Sequence, residues 1–168
     1  KTYMAYLGDQ VGRFGFGLAV MEGGLEETMK WLKHGKIFDP IHYDLPNGCE
    51  HFAQSPQTLL FNDFVRIYFS TRAVDRNDKY LSHIAFVDMS KNMRKVIRVS
   101  RHTVIPLGGL GSFDEHGIFP MNIVRHGDKV YGYTCGWTRR VSVSVDTAIG
   151  LAISSDNGST FKRIGDGP

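Results

Sequence analysis

The sequence predicts an all-β fold made of repeated units of short antiparallel strands, and two observations carry this prediction. Glycine is unusually frequent, with 19 of 168 residues against a typical ~7%. It accompanies many Val, Ile, Tyr and Phe residues, a combination typical of strands joined by tight turns. The triplets Leu-Ala-Val, Ile-Ala-Phe and Leu-Ala-Ile also recur at 18–20, 84–86 and 151–153, which are 66 and 67 residues apart. This spacing predicts structural units of roughly 65 residues.

Within each unit the same elements follow in order. Pro56 and Pro120 each precede an apolar pair, at 59–60 and 123–124. Polar turns then separate alternating apolar runs at 62–63 and 127–128, where a hairpin needs residues that tolerate left-handed backbone angles. After each turn we expect an aromatic-rich second strand, a polar loop, a third strand that contains the repeated triplet, and a weaker fourth strand. The second strands are expected at 3–6, 65–69 and 130–133, and the fourth at 96–99 and 161–164.

Four short antiparallel strands per unit are typical of a β-propeller blade. At roughly 65 residues per unit, the chain holds about two and a half to three blades of a single partial propeller domain. We expect the blade units at approximately 1–40, 41–106 and 107–168. One stretch differs, because Leu25, Met29 and Leu32 form a helical face that predicts one or two helical turns inserted at 25–32.

Composition excludes several classes of function. The net charge is +3 and the charged residues are scattered, so nothing favours nucleic acid or a membrane surface as a partner. No apolar stretch approaches the ~18 residues that span a bilayer. Cys49 and Cys135 have no metal-type spacing and are expected to be reduced, partly buried thiols. No phosphate-binding glycine loop or serine nucleophile elbow is present, so we expect no cofactor and no metal.

The start of the chain carries little information about location. It begins at Lys1 without Met and without a basic, apolar leader. A signal could have been removed, or the chain could be a piece of something longer. The given residues favour a cytoplasmic location.

Residues 154–161, Ser-Ser-Asp-Asn-Gly-Ser-Thr-Phe, match the Ser-x-Asp-x-Gly-x-Thr-aromatic pattern of the Asp-box. In such a turn we expect Asp156 to accept backbone N–H bonds, Gly158 to adopt a positive φ and Phe161 to pack beneath the hairpin. The motif occurs in sialidases and other sugar-processing propellers, usually on an outer turn, so it indicates architecture rather than chemistry. Asn157-Gly158-Ser159 is also a formal glycosylation acceptor, which we interpret as coincidental.

Further segments extend this resemblance. The chain resembles the five-bladed propeller superfamily of glycosidases, which includes arabinanases, invertases, levansucrases and mannoside phosphorylases. The segments that carry the resemblance lie at 52–56, 67–72, 111–120 and 131–137. The resemblance implies an active site in a central funnel lined by the innermost strands, with carboxylates from different blades. Because such a ring needs five blades, at least one catalytic group could lie outside these residues.

The candidate catalytic carboxylates are Asp114 and Glu50. Each precedes a predicted innermost strand at equivalent positions of adjacent units, so the two could face one another across the funnel. One carboxylic acid would protonate the leaving oxygen, and the other carboxylate would activate water or attack carbon. The alternative is that both are turn residues that bond local backbone N–H groups. Asp39, which precedes Pro40, is either a further funnel carboxylate or a turn start.

The candidate substrate-binding residues surround this pair: His51, His116, Arg72, Trp137 and Glu115. Each histidine could orient a carboxylate, bond a sugar hydroxyl or bind a metal, and the lack of a third ligand in spacing favours hydrogen bonding. The Arg72 guanidinium could bond sugar hydroxyls, a carboxylate or a phosphate, and the Trp137 indole could stack on a pyranose ring. Their alternatives are a solvated rim charge and a core aromatic. The pair at 139–140 is expected to be solvated.

These observations predict a carbohydrate-active, glycosidase-like β-propeller that hydrolyses or otherwise processes a glycosidic bond. The alternative is a non-catalytic propeller module that binds glycans or proteins within a larger protein, for example one associated with a glycosyltransferase. The expected partner is an oligosaccharide or glycoconjugate, and not nucleic acid or a membrane. The remaining blades would come from the same longer chain or, alternatively, from a second copy.

Overall fold

The computed structural model describes residues 2–8, 12–23, 30–165 and 167. Within this part of the chain, short 3-10 helices occupy Pro40–His42 and Pro46–Gly48, Gly12 belongs to a helical turn, and the remaining regular structure is strand. The strands are β1 (Thr2–Leu7), β2 (Phe16–Glu22), β3 (Lys30–Phe38), β4 (His51–Leu60), β5 (Phe64–Val74), β6 (Tyr80–Ser90), β7 (Val96–Val99), β8 (Gly117–His126), β9 (Lys129–Thr138), β10 (Asp146–Ser154) and β11 (Lys162–Arg163). The predicted all-β class is confirmed.

The strands form three consecutive antiparallel groups. We call β1–β3 the first sheet, β4–β7 the middle blade and β8–β11 the last blade. In each blade every strand pairs with the next one along the chain. A single parallel bridge between Ser82 and Gly117 joins the two blades, and β4 also contacts β8. This four-stranded meander is the blade architecture of a partial propeller, as the sequence predicts.

The helical prediction for 25–32 is wrong where it can be examined. Residues 30–32 belong to β3, which pairs with β2 through Trp31 opposite Met21 and Lys33 opposite Ala19. The inter-strand ladder therefore overrides the local helical spacing. Residues 25–29 lie outside the described residues.

The described residues contain no helix long and apolar enough to span a membrane. The predicted unit boundaries fall between β3 and β4 and between β7 and β8, and they stay a prediction.

Two apolar clusters hold the three groups together. The first lies between the first sheet and the middle blade, where the rings of Phe16, Phe38 and Phe69 pack with centroids 5.2–6.0 Å apart. Cys49 belongs to this cluster, and burial raises the pKa of its thiol to about 12. The second cluster lies between the two blades. Its members include Tyr68, Ile84, Phe86, Ile118 and Phe161. Both cysteines are free, and Cys135 is half-buried whereas Cys49 is buried.

The turn at 154–161 has the local structure that its sequence predicts. The carboxylate of Asp156 accepts the Thr160 backbone N–H at 2.9 Å and the Thr160 hydroxyl at 2.7 Å, and the Ser154 hydroxyl also bonds it. Gly158 adopts a φ of +77°, which costs glycine little. Phe161 packs into the cluster between the blades. The turn is therefore stabilised by bonds among its own side chains and backbone as well as by packing of Phe161.

This turn also docks on the middle blade. The Tyr68 hydroxyl donates to the Gly158 carbonyl at 2.7 Å, and Arg66 Nη1 donates to the Asn157 carbonyl at 3.3 Å. Arg66 is buried and paired with Asp88 at 2.7 and 2.9 Å, so its charge is neutralised. The Asn157 side chain accepts from Arg125 at 3.0 Å. The Arg125 bond lies within the last blade, whereas the bonds from Tyr68 and Arg66 fix the position of the last blade relative to the middle blade.

Candidate functional site

The predicted substrate-binding residues lie where the middle and last blades meet. His51 begins β4 and pairs with Arg72 of β5. Gly117 begins β8 and pairs with both Ser82 of β6 and Trp137 of β9. A Cβ on Gly117 would lie 2.2 Å from Trp137 Nε1 and 2.7 Å from Ser82 Cβ, so only glycine permits this close approach. The two blades thus bring these strand ends together.

His116 is held in one orientation by its neighbours. Its Nδ1 accepts the Arg139 backbone N–H at 3.3 Å and lies 3.1 Å from the Thr138 hydroxyl. Because Nδ1 is an acceptor, the neutral ring carries its proton on Nε2. Nε2 lies 3.8 Å from Glu115 Oε1. The ring stacks on Trp137, with centroids 5.9 Å apart and planes 30° apart.

Glu115 is the carboxylate that the structure places beside His116. Its Oε2 accepts the Gly111 backbone N–H at 2.9 Å, which leaves Oε1 directed to the imidazole. Both side chains are partly exposed. A cleft of about 190 Å³ borders the same region, lined in part by Gly111, Thr138 and Arg140. It is smaller than a typical ligand pocket of roughly 300–1,000 Å³, so any larger ligand would bind on an open surface here.

Arg139 departs from the prediction of a solvated loop pair. Its Nη1 donates to Asp75 Oδ2 at 2.9 Å, and its Nη2 donates to the Tyr80 carbonyl at 2.7 Å. Its guanidinium also lies 5.7 Å from the Trp137 ring. The prediction is wrong for Arg139, because two acceptors on the middle blade hold it. Arg140 is exposed and pairs with Asp146 at 3.3 Å.

Arg72 lies against aromatic rings rather than beside a carboxylate. Its guanidinium is 4.7 Å from the centroid of Phe52 and 5.7 Å from that of Tyr80. Burial lowers the pKa of Arg72, and the neighbouring Tyr80 opposes this effect. Phe52 and Tyr80 are themselves in edge contact, with centroids 5.5 Å apart. This aromatic pair lies on the middle-blade side of the junction.

Asp114 and Glu50, the predicted catalytic pair, have very different surroundings. Asp114 is 0% exposed, and its Oδ2 lies 3.0 Å from Arg163 Nε. Burial raises the pKa of Asp114, although Arg163 and local backbone N–H groups act in the opposite direction. Glu50 is exposed, just before β4. Within the described residues no hydrogen bond or ion pair joins them, and their catalytic roles stay a prediction.

Asp39, predicted to be either a funnel carboxylate or the start of a turn, forms the start of a turn. Its side chain accepts the Ile41 backbone N–H at 3.3 Å and caps the 3-10 helix at Pro40–His42. It also forms an ion pair with Lys36. Within the described residues, no group of three or more His, Cys, Asp or Glu side chains could hold a metal ion.

The contacts of three residues at the junction are not predicted by the sequence: those of Asp75, Tyr80 and Arg139. Their roles depend on bonds and ring contacts between residues far apart in sequence, such as the 59 residues that separate Tyr80 from Arg139. One sequence signal for these contacts is the repeat itself. The loop at 75–80 follows the second strand of one unit, and residue 139 lies in the equivalent loop of the next unit. The repeat could therefore have indicated that these loops lie at the same end of their blades.

No family model matches the chain. A search of curated proteins does find relatives. Two uncharacterised proteins of Mycobacterium tuberculosis, from strains CDC 1551 and H37Rv, are 33% identical over 135 residues. The match covers 80% of this chain and 44% of each relative. The chain therefore spans less than half the length of these curated relatives.

Solved structures share the fold at low sequence identity. A family 117 glycoside hydrolase of the marine bacterium Zobellia galactanivorans superposes with a TM-score of 0.67 and 13% identity, over 93% of this chain and 43% of that one. A sucrose-6-phosphate hydrolase from Lactobacillus gasseri superposes with a TM-score of 0.62 and 11% identity. The superposition covers 95% of this chain and 33% of the hydrolase. The propeller-blade fold of this chain is thus one that glycoside hydrolases use, and at these identities the likeness concerns the fold alone.

Proposed function

We propose that the chain is part of a carbohydrate-active, glycosidase-like β-propeller that binds an oligosaccharide or glycoconjugate where the middle and last blades meet. The observation that carries this proposal is the stacked pair of His116 and Trp137 beside Glu115. An aromatic face, an oriented N–H donor and a carboxylate acceptor are the groups that a sugar's apolar face and hydroxyls need. The fold shared with two glycoside hydrolases supports the same reading.

Each residue has a defined role in this proposal. Trp137 stacks on a pyranose ring, the Nε2–H of His116 donates to a hydroxyl, and Glu115 accepts from another. His51 and Arg72 extend the surface along the middle blade. The resemblance to the five-bladed glycosidase superfamily, with a sialidase-type Asp-box at 154–161, is part of the proposal.

Cleavage of a glycosidic bond needs one carboxylic acid and one carboxylate. We propose Asp114 as the acid and Glu50 as the base or nucleophile. A carboxyl group whose pKa is raised by burial suits a general acid, because it keeps its proton closer to neutral pH. The full burial of Asp114 also means that the turn at 111–116 would have to move for contact with substrate.

Replacement of Asp114 tests the catalytic role. We expect Asp114→Asn to abolish turnover per folded molecule in a screen of oligosaccharides. It should also lower the Tm by roughly 6–20 °C, because breaking a buried ion pair costs roughly 3–5 kcal/mol and each kcal/mol lowers the Tm by about 2–4 °C in a chain of this size. Glu50→Gln, at an exposed site, should abolish turnover with the Tm unchanged.

The control is Asp146→Asn, which removes an exposed carboxylate paired with Arg140 and should change neither property. A lower Tm with unchanged activity per folded Asp114→Asn molecule would make Asp114 a structural residue and refute its catalytic role.

A second candidate function is the non-catalytic module that binds glycans or proteins. The full burial of Asp114 against Arg163 favours it. In that case the chain would bind oligosaccharides but release no product from any of them, which distinguishes the two functions in the same screen.

We also propose that further blades of the same longer polypeptide, rather than a second copy, close the ring. Val124, Tyr133 and Ile149 lie on the face of the last blade that turns away from the middle blade, and they are exposed. Exposed apolar surface of this kind is typical of an interaction site. The greater length of the two relatives supports the same reading.

A further inference from the structure

Arg72 differs from the other buried arginines in having no acidic partner. Among the residues that the structure describes, four arginines are at least partly buried. Three of these form ion pairs with carboxylates: Arg66 with Asp88 at 2.7 Å, Arg139 with Asp75 at 2.9 Å, and Arg163 with Asp114 at 3.0 Å. Arg72 forms no ion pair within the described residues, and its Nε, like that of Arg163, is buried without a hydrogen-bond partner; the absence of a carboxylate is what distinguishes Arg72. A buried donor in this state calls for an explanation, and one explanation is a water or an anionic group that binds there.

The surroundings of Arg72 keep its guanidinium in place without neutralising it. The faces of Phe52 and Tyr80 attract the cation, at 4.7 and 5.7 Å from the ring centroids. Neither ring removes the positive charge or accepts its Nε–H in the way that a carboxylate would. The guanidinium is thus ordered before any ligand binds, which reduces the entropy that binding has to offset.

Arg72 also lies next to the proposed sugar-binding surface. It pairs across the sheet with His51 on one side and with Ser82 on the other. Ser82 in turn borders Gly117, the residue against which the Trp137 indole packs. A sugar stacked on Trp137 would therefore extend toward the guanidinium.

We propose that Arg72 binds an anionic group carried by the glycan, so that the substrates of this site are acidic sugars bearing a carboxylate, sulfate or phosphate. All three groups match the planar fork of a guanidinium, which can donate two parallel hydrogen bonds to them. The inference rests on the proposed function and specifies its substrate class.

The test is a binding screen of the whole chain on matched neutral, carboxylated, sulfated and phosphorylated oligosaccharides at fixed ionic strength. We expect at least one acidic class to bind about tenfold or more tightly than its neutral counterpart, as a charged hydrogen bond provides. Arg72→Gln should remove this preference, so that acidic glycans bind no more tightly than their neutral counterparts. Arg72→Lys keeps the positive charge but loses the planar set of N–H donors. It should therefore retain only part of the preference for acidic glycans.

The matched control is Arg76→Gln, which removes an exposed arginine from the turn between β5 and β6 and should leave the preference unchanged. Equal binding of acidic and neutral glycans, or a preference that survives in folded Arg72→Gln, would overturn the inference while leaving the proposed function in place. Inorganic phosphate that competes as well as an acidic glycan would show that the anion is not sugar-borne, and would also overturn it. Failure of every glycan to bind would refute the proposed function itself.

Discussion

Arg139 is the residue that joins the two blades at the proposed site. Its guanidinium bonds Asp75 and the Tyr80 carbonyl on the middle blade, while its backbone N–H bonds His116 on the last blade. The pKa of Asp75 is lowered to about 2, first by the Lys79 backbone N–H and next by Arg139. A lowered carboxyl pKa contributes stability above the ordinary value near 4, and this contribution is lost as the pH falls toward 2.

Removal of Arg139 should change this titration in a defined direction. We expect Arg139→Gln to raise the pKa of Asp75 above 2 but not fully to the ordinary value, because the Lys79 N–H bond remains. An NMR titration of the Asp75 carboxyl carbon measures this directly, with Arg140→Gln as a control on the neighbouring exposed arginine. An Asp75 pKa that stays near 2 in Arg139→Gln would show that the bond between the blades does not form in solution.

At the residue scale, the sequence predicts which side chains are chemically suited to a sugar but not which partners they have. His116, Glu115 and Trp137 were predicted from their residue types and repeat positions, and they are in contact. The sequence predicts that Asp114 could face Glu50 across a funnel, which stays a prediction, but it does not predict that the Asp114 carboxylate is buried against Arg163. The partner of a carboxylate depends on packing between strands distant in sequence, and no local pattern encodes it.

At the scale of single elements, the turn at 154–161 positions the last blade through its bonds to β5. Tyr68 is 1% exposed, and its hydroxyl donates to the Gly158 carbonyl. The turn lies at the opposite end of β9 and β10 from Trp137, because β10 ends at Ser154 opposite Val130 and begins opposite Thr138. Its effect on the site should therefore be small.

Loss of the Tyr68 hydroxyl should lower stability without affecting binding. We expect Tyr68→Phe to cost about 1–3 kcal/mol, because it leaves a buried carbonyl without its donor. For a chain of this size the Tm should fall by roughly 2–4 °C per kcal/mol. Thermal unfolding followed by circular dichroism measures this, with Tyr133→Phe on the exposed face as the control. Equal Tm values for Tyr68→Phe and the unmodified chain would contradict the docking role of this turn.

The strands of the two blades could be predicted because their signals are local. Alternating apolar residues and turn residues define β4, β5, β8 and β9 within windows of about ten residues. The segment at 30–32 could not be predicted, since its helical spacing is overridden by pairing with β2. The bridge between Ser82 and Gly117 likewise joins residues from different repeats, and it brings the two halves of the site together.

At the scale of the whole molecule, the proposed site belongs to neither blade alone. The middle blade contributes Arg72 and Tyr80, and the last blade contributes His116 and Trp137. The apolar cluster and the docked turn fix the two blades to one another. Glycan binding should consequently depend on the packing of the blades as well as on the residues that touch sugar.

The most direct test of this account uses Trp137 as a reporter. The chain has two tryptophans, Trp31 and Trp137, so the Trp31→Phe variant has Trp137 as its single tryptophan. We predict that its fluorescence emission changes saturably when a bound oligosaccharide stacks on the indole, and that His116→Ala weakens this response. An emission spectrum that no oligosaccharide alters, in a variant that remains folded, would contradict the proposal that this junction is a carbohydrate site.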